Sequence, residues 1–143
     1  MTPDARVLLV DENDDFLDGL SAWISDCLGF EVVGVAHSAG DAFERIETLS
    51  PDIVLMSLSL PNLNGLEATR RIKSRPGAPI VIVMSFHEIA AVRAEALSAG
   101  ADACLTKPEI ARDFLDVAGR LWRTRWRIVT EETPHPSPRR TIP

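Results

Sequence analysis

Apolar residues gather in five short runs along the chain: residues 6–10 (RVLLV), 31–36 (EVVGVA), 53–56 (IVLM), 80–84 (IVIVM) and 103–105 (ACL). Runs of this length, bounded by polar and turn-forming residues, are the pattern of strands covered on both faces. Between them the apolar period changes. Phe16, Leu20, Trp23, Ile24 and Cys27 recur at helical spacing up to Gly29, which places Trp23 in the core. Ser38 is expected to cap a second helix ending at Leu49, with Ala42, Phe43, Ile46 and Leu49 facing inward and Pro51 stopping it. Pro61, Asn62, Asn64 and Gly65 give loop and helix-start signals before Leu66, Ala68 and Ile72 resume at helical spacing. An Ala-rich helix is predicted over residues 88–99, closed by Gly100. A fifth starts at Pro108 and carries Ile110, Phe114, Val117 and Leu121 as its apolar stripe.

Five strand-to-helix alternations predict an α/β fold, a doubly wound parallel sheet covered on both faces through right-handed crossovers. The carboxyl ends of the strands then share one edge, where open parallel sheets carry their crevices. Asp11 and Glu12 follow the first strand, Ser57 ends the third, Ser85 ends the fourth and Lys107 follows the fifth. Two carboxylates suit a magnesium ion, which takes one or two of them together with phosphate oxygens. A hydroxyl and an ammonium suit the remaining oxygens of a phosphoryl group.

Composition narrows the classes. The 143 residues fit one domain, and 45% hydrophobic with 25% charged residues is the make-up of an ordinary globule. A net charge of −6 argues against general nucleic-acid binding by the domain body. Cys27 and Cys104 are far apart and form no CxxC, so both are expected as buried thiols in a reducing cytoplasm. No apolar run approaches the ~18 residues of a membrane span, and MTPDAR lacks the apolar region of a signal peptide. A cytoplasmic location without membrane contact is therefore expected. His37 and His87 lack ligand partners at metal spacing, and His135 lies in the tail. Residues 1–130 are expected to form the domain with an extended C-terminal helix. Residues 131–143, Pro-rich from Thr133, are expected to be disordered or extended.

VLLVDEN, PDIVLMSLSLPNLNGLEATRRIK, IVIVMS and GADACLTKP follow one another over about residues 6–121, and through them the sequence resembles a response-regulator receiver domain. DENDDFLDGLSAWI and NGLEATRRIK look closest to the subgroup often joined to a helix-turn-helix output domain. The resemblance implies a flavodoxin-like (βα)5 fold with strand order 2-1-3-4-5. It matches Asp11 and Glu12 to the magnesium-binding acidic pair, Ser85 to the hydroxyl that senses the phosphoryl group, and Lys107 to the family's lysine. The Lys107–Pro108 bond lies where the family often has a cis peptide.

Two positions depart from the family pattern. Ser57 matches the phosphoacceptor aspartate. An aspartate is ionised near neutral pH and attacks a phosphodonor directly, whereas a serine hydroxyl needs a general base and is a poor metal ligand. Cys104 stands where a tyrosine or phenylalanine usually rotates to couple the site to the face of the fourth helix, fifth strand and fifth helix. Phe86, beside Ser85, is bulkier than the small residue common there and is placed to cover the pocket.

These residues leave defined alternatives. Asp11 and Glu12 are either solvated strand-exit acids or a weak or vestigial Mg2+ site, and Lys107 is expected to pair with one of them. Trp122, Arg123 and Trp126, with Arg120, Arg125 and Arg127, extend the fifth helix either as a packed end or as a partner-binding helix. No Gly-rich phosphate loop follows the first strand, which argues against a flavin or nucleotide. The function implied is that of a stand-alone atypical receiver, not an enzyme and without a required cofactor. It would act by contact with a protein partner (kinase, regulator or transcription component), or as a homodimer, without phosphorylation at Ser57. The alternative is an ordinary phosphorelay receiver in which Ser57 replaces an aspartate. A nucleic-acid accessory using Arg139 and Arg140 weighs less.

Overall fold

The computed structural model of the chain describes residues 2–87 and 90–132. The apolar runs form β1 (Ala5–Val10), β2 (Phe30–Ala36), β3 (Ile53–Ser57), β4 (Ile80–Ser85) and β5 (Ala103–Thr106), all paired in parallel in the order β2-β1-β3-β4-β5. Helices α1 (Asp14–Ser25), α2 (Ala39–Leu49), α3 (Gly65–Lys73), α4 (Ala90–Ser98) and α5 (Ile110–Glu132) alternate with them.

Side chains alternate across a strand, and β1 shows the consequence. Val7 and Leu9 join Leu17, Leu20 and Ile24 of α1 and Phe114, Ala118 and Trp122 of α5 in one buried layer. Leu8 and Val10 join Ala42 of α2, Ala68 and Ile72 of α3 and Ala96 of α4 in the other. Phe114 anchors the first layer, with Phe30 at 5.0 Å and Trp23 edge-on at 6.1 Å between ring centroids. Trp23 is half-buried, packed against this layer.

Side-chain caps account for the helix starts. Ser38 accepts the backbone N–H of Asp41 and opens α2, as its position before the apolar stripe requires. Asn13 caps α1 through the N–H of Phe16, and Asn64 caps α3 through the N–H groups of Leu66 and Glu67.

Several expectations need correction. Cys27 is only partly buried: its thiol donates to the Trp23 carbonyl at 3.3 Å, and burial, then the Asp26 carboxylate, pushes its pKa up. Pro108 does not begin the fifth α-helix. It sits in a 3-10 turn, Lys107–Glu109, and α5 follows from Ile110. The Lys107–Pro108 peptide bond is trans. α5 continues to Glu132, beyond the expected boundary at 130, while residues 133–143 and the expected start of α4 at 88 and 89 lie outside the described residues.

The loop from β3 to α3 is held by a close approach that only glycine permits. A Cβ on Gly65 would lie 2.1 Å from the Ser57 carbonyl oxygen. Gly65 N–H donates to the Leu58 carbonyl at 3.2 Å, and the buried Thr69 hydroxyl donates to the Gly65 carbonyl at 2.7 Å. α3 is thereby pressed against the end of β3. Gly65→Ala is expected to lower unfolding free energy by about 1–3 kcal/mol, the usual cost of forcing a methyl group into filled space, read from the urea midpoint. An unchanged midpoint would show that the loop yields freely.

Candidate functional site

Strand register decides which residues meet. Val10 pairs with Met56, so Asp11 emerges beside Ser57. Ser57 pairs with Met84, which brings Ser85 one step further on, and Ser85 pairs with Thr106, beyond which Lys107 emerges. The structure thus brings Asp11, Ser57, Ser85 and Lys107 to one edge of the sheet. Asp11, Ser57 and Ser85 are buried there, whereas Glu12 is exposed.

The shortest polar contact is between Lys107 Nζ and Asp11 Oδ2, 2.6 Å apart, with side chains 7% and 2% exposed. It is an ion pair, and the ammonium is the one contact of Asp11 Oδ2 seen among the described residues. The other oxygen, Oδ1, accepts the N–H of Asn13 at 2.9 Å. The ammonium also lies 4.5 Å from the ring centroid of Phe86 and 4.9 Å from that of Phe16. Both distances are within cation–π range.

The hydroxyls are turned toward their own loops. Ser57 Oγ accepts the Ser59 N–H at 3.2 Å and donates to the Ser59 carbonyl at 3.4 Å. Ser85 Oγ donates to the His87 carbonyl at 2.9 Å. Between them opens a hollow of about 240 Å3 lined by Ser57, Ser59, Ser85, Phe86, His87, Val92 and Lys107. A larger one, about 420 Å3, lies between α5 and the starts of β4 and β5. Its charged residues are already engaged: Asp102 with Lys73, Arg120 with Asp116, and Arg125 with the Ala78 carbonyl. The smaller hollow, at the strand exits, is the one lined by Ser57, Ser85 and Lys107.

The remaining sequence candidates fall elsewhere. Cys104 is buried on β5 in the layer beneath α3 and α4. His37 is exposed and paired with Asp14 at 2.6 Å. Trp122 is not an exposed partner anchor. It is 4% exposed, its indole N–H donates to the Pro3 carbonyl at 2.7 Å, and Trp126 packs half-buried against it at 5.9 Å. Phe114, Ala118, Trp122 and Trp126 are spaced by four and continue one inward stripe, a signal already present in the sequence. Arg123 is exposed. Phe16 belongs to the apolar stripe of α1, and nothing in the helical spacing marks it as a neighbour of Lys107.

A doubly wound 2-1-3-4-5 sheet with an acid, two hydroxyls and an ammonium at its strand exits defines a receiver-type α/β domain. The chain belongs to the response-regulator receiver domain family, whose sequence profile matches residues 7–118, and so to the receivers of two-component signalling. It is 37% identical over 139 residues to protein-glutamate methylesterase/protein-glutamine glutaminase 5 of Myxococcus xanthus, covering 93% of this chain and 40% of that protein. It is 34% identical over 119 residues to the response regulator protein VraR of Staphylococcus aureus, covering 82% of this chain and 56% of that one. A LuxR-family two-component response regulator from Aurantimonas sp. SI85-9A1 superposes with a TM-score of 0.79 at 31% identity, over 85% of this chain and 86% of that one. The chain thus spans roughly two fifths to just over half the length of these two curated relatives.

The family implies magnesium at this edge, and while Lys107 holds Asp11 the donors present do not fit it. Asp11 Oδ2 is in contact with an ammonium, Glu12 is exposed, and the Ser57 hydroxyl faces its own backbone. Among the described residues no three His, Cys, Asp or Glu side chains gather to hold a metal.

Removing one member of a buried ion pair strands the other. Lys107→Met is expected to cost about 3–5 kcal/mol. Asp11→Asn combined with Lys107→Met should cost less than Lys107→Met alone, since the stranded charge is gone. Urea unfolding of the two variants checks this; equal losses would show that the pair is not coupled.

Proposed function

We propose that this domain is an atypical receiver that does not undergo phosphotransfer at Ser57 and signals through contacts with a protein partner. The observation that carries the reading is the state of Ser57 itself. The residue that matches the family's acceptor is a fully buried hydroxyl bound to the backbone of Ser59. An attacking serine needs a base to take its proton, and the adjacent carboxylate, Asp11, is already held by Lys107. Cys104 supplies no aromatic ring to swing between two positions, so the surface offered to a partner is set by the fold and not by a phosphorylation cycle.

The partner, in this reading, is a kinase, another regulator or a transcription component. It meets the face built from α4, β5 and α5; α4 carries exposed Leu97, and α5 carries exposed Ile128 beside Ala103 at the start of β5. The extension of α5 carries exposed Arg123, Arg127, Ile128 and Val129, whereas Trp122 is buried.

Incubation with a small-molecule phosphodonor and magnesium, followed by intact-mass measurement, tests the reading. The expected result is an unchanged mass. Gain of one phosphoryl group mapped to Ser57 would overturn it. Ser57→Asp in the same assay shows whether the surrounding pocket supports transfer once a carboxylate is supplied.

A further inference from the structure

We propose that the ammonium of Lys107, clamped between the rings of Phe16 and Phe86, is the built-in cation of this site and takes the place of a divalent metal. The inference rests on reading the site as one without phosphotransfer, and it is read out by metal response, so either can fail alone.

Three observations converge on it. The ammonium meets Asp11 Oδ2 at 2.6 Å, so the carboxylate oxygen not taken by the Asn13 N–H is already in contact with a positive charge. A divalent ion approaching Asp11 would come within a few ångströms of a fixed positive charge in a poorly hydrated place, where like charges repel strongly. The two rings then hold that charge in position. Phe16 flanks it at 4.9 Å and Phe86 at 4.5 Å, and each presents a negative face that favours the ammonium over a neutral neighbour. Phe86 is itself 60% exposed while Lys107 beneath it is 7% exposed, so the ring acts as a cover whose outer face meets water. An exposed phenylalanine is otherwise an unfavourable surface residue, and covering the lysine gives it a role.

The charge balance of the buried groups agrees. Asp11 contributes one negative charge, Lys107 one positive, and Ser57 and Ser85 none. The buried charges described at this edge therefore sum to zero.

The test compares thermal midpoints of the wild-type chain and Lys107→Met with and without millimolar magnesium chloride, against sodium chloride at matched ionic strength. The wild-type midpoint is expected to shift by less than about 1 °C, as for a protein with no site to saturate. That of Lys107→Met is expected to rise by several degrees as magnesium takes up the vacated carboxylate. A wild-type rise of that size, or a folded Lys107→Met that ignores magnesium, would overturn the proposal. Should Lys107→Met not fold, Phe86→Ala decides, because it keeps the ion pair and removes only the cover. The chain has two lysines, Lys73 and Lys107, so acetylation followed by peptide mass spectrometry reads each one separately. The rate at Lys107 relative to Lys73 is expected to rise roughly fivefold in Phe86→Ala, the ratio that loss of a partly desolvated cation–π contact gives. An unchanged ratio would overturn the clamp.

Discussion

Parallel hydrogen bonding of β3 between β1 and β4 is the constraint on which the remaining structure depends. β3 is buried on both faces and paired on both edges, so its register is fixed by every backbone group it carries. A slip of one residue would turn Leu55 into the layer of α2 and α3 and Met56 into that of α1 and α5. It would also take Ser57 away from Asp11. The close contact between Gly65 and the Ser57 carbonyl then fixes where α3 begins. One pairing scheme thus sets both the core and the composition of the strand-exit hollow.

Much of this was legible in the sequence because the signals involved are local. An unbroken run such as IVIVM needs no neighbour to identify it as a buried strand, and Ser38 or Asn64 caps a helix with its own side chain. The convergence of Asp11, Ser57, Ser85 and Lys107 was legible too, since topology alone brings strand exits together. What was not legible depends on packing between elements distant in sequence. Trp122 reaches back to the carbonyl of Pro3. A pair of tryptophans among arginines reads equally well as an exposed anchor or a packed helix end until that partner is seen. The pairing of Phe16 with Phe86 over Lys107 likewise joins three elements, and no spacing rule connects them.

The electrostatics of the hollow follow from burial. Taking a carboxylate and an ammonium out of water costs several kcal/mol for each, by order of magnitude, and their mutual attraction offsets this only when they remain in contact and are otherwise supported. Here the support is uneven. Asp11 Oδ1 has the backbone of Asn13, whereas Oδ2 has the ammonium as its contact among the described residues. The ammonium in turn has two aromatic faces in place of water. Such a pair adds less to net stability than its short distance suggests, and its larger effect is to fix the loops after β1 and β5 relative to each other.

That balance links the serine to the lysine. A carboxylate at position 57 would stand beside Asp11, and the buried set would then carry two negative charges against one positive. Two like charges at such a distance are tolerated only if one takes up a proton or a further cation enters. With a hydroxyl at Ser57 the excess vanishes, and Lys107 suffices for Asp11 alone. The hydroxyl at Ser57 and the one-to-one pairing of Asp11 with Lys107 are therefore two aspects of one charge count, and a carboxylate placed at position 57 would disturb that pairing.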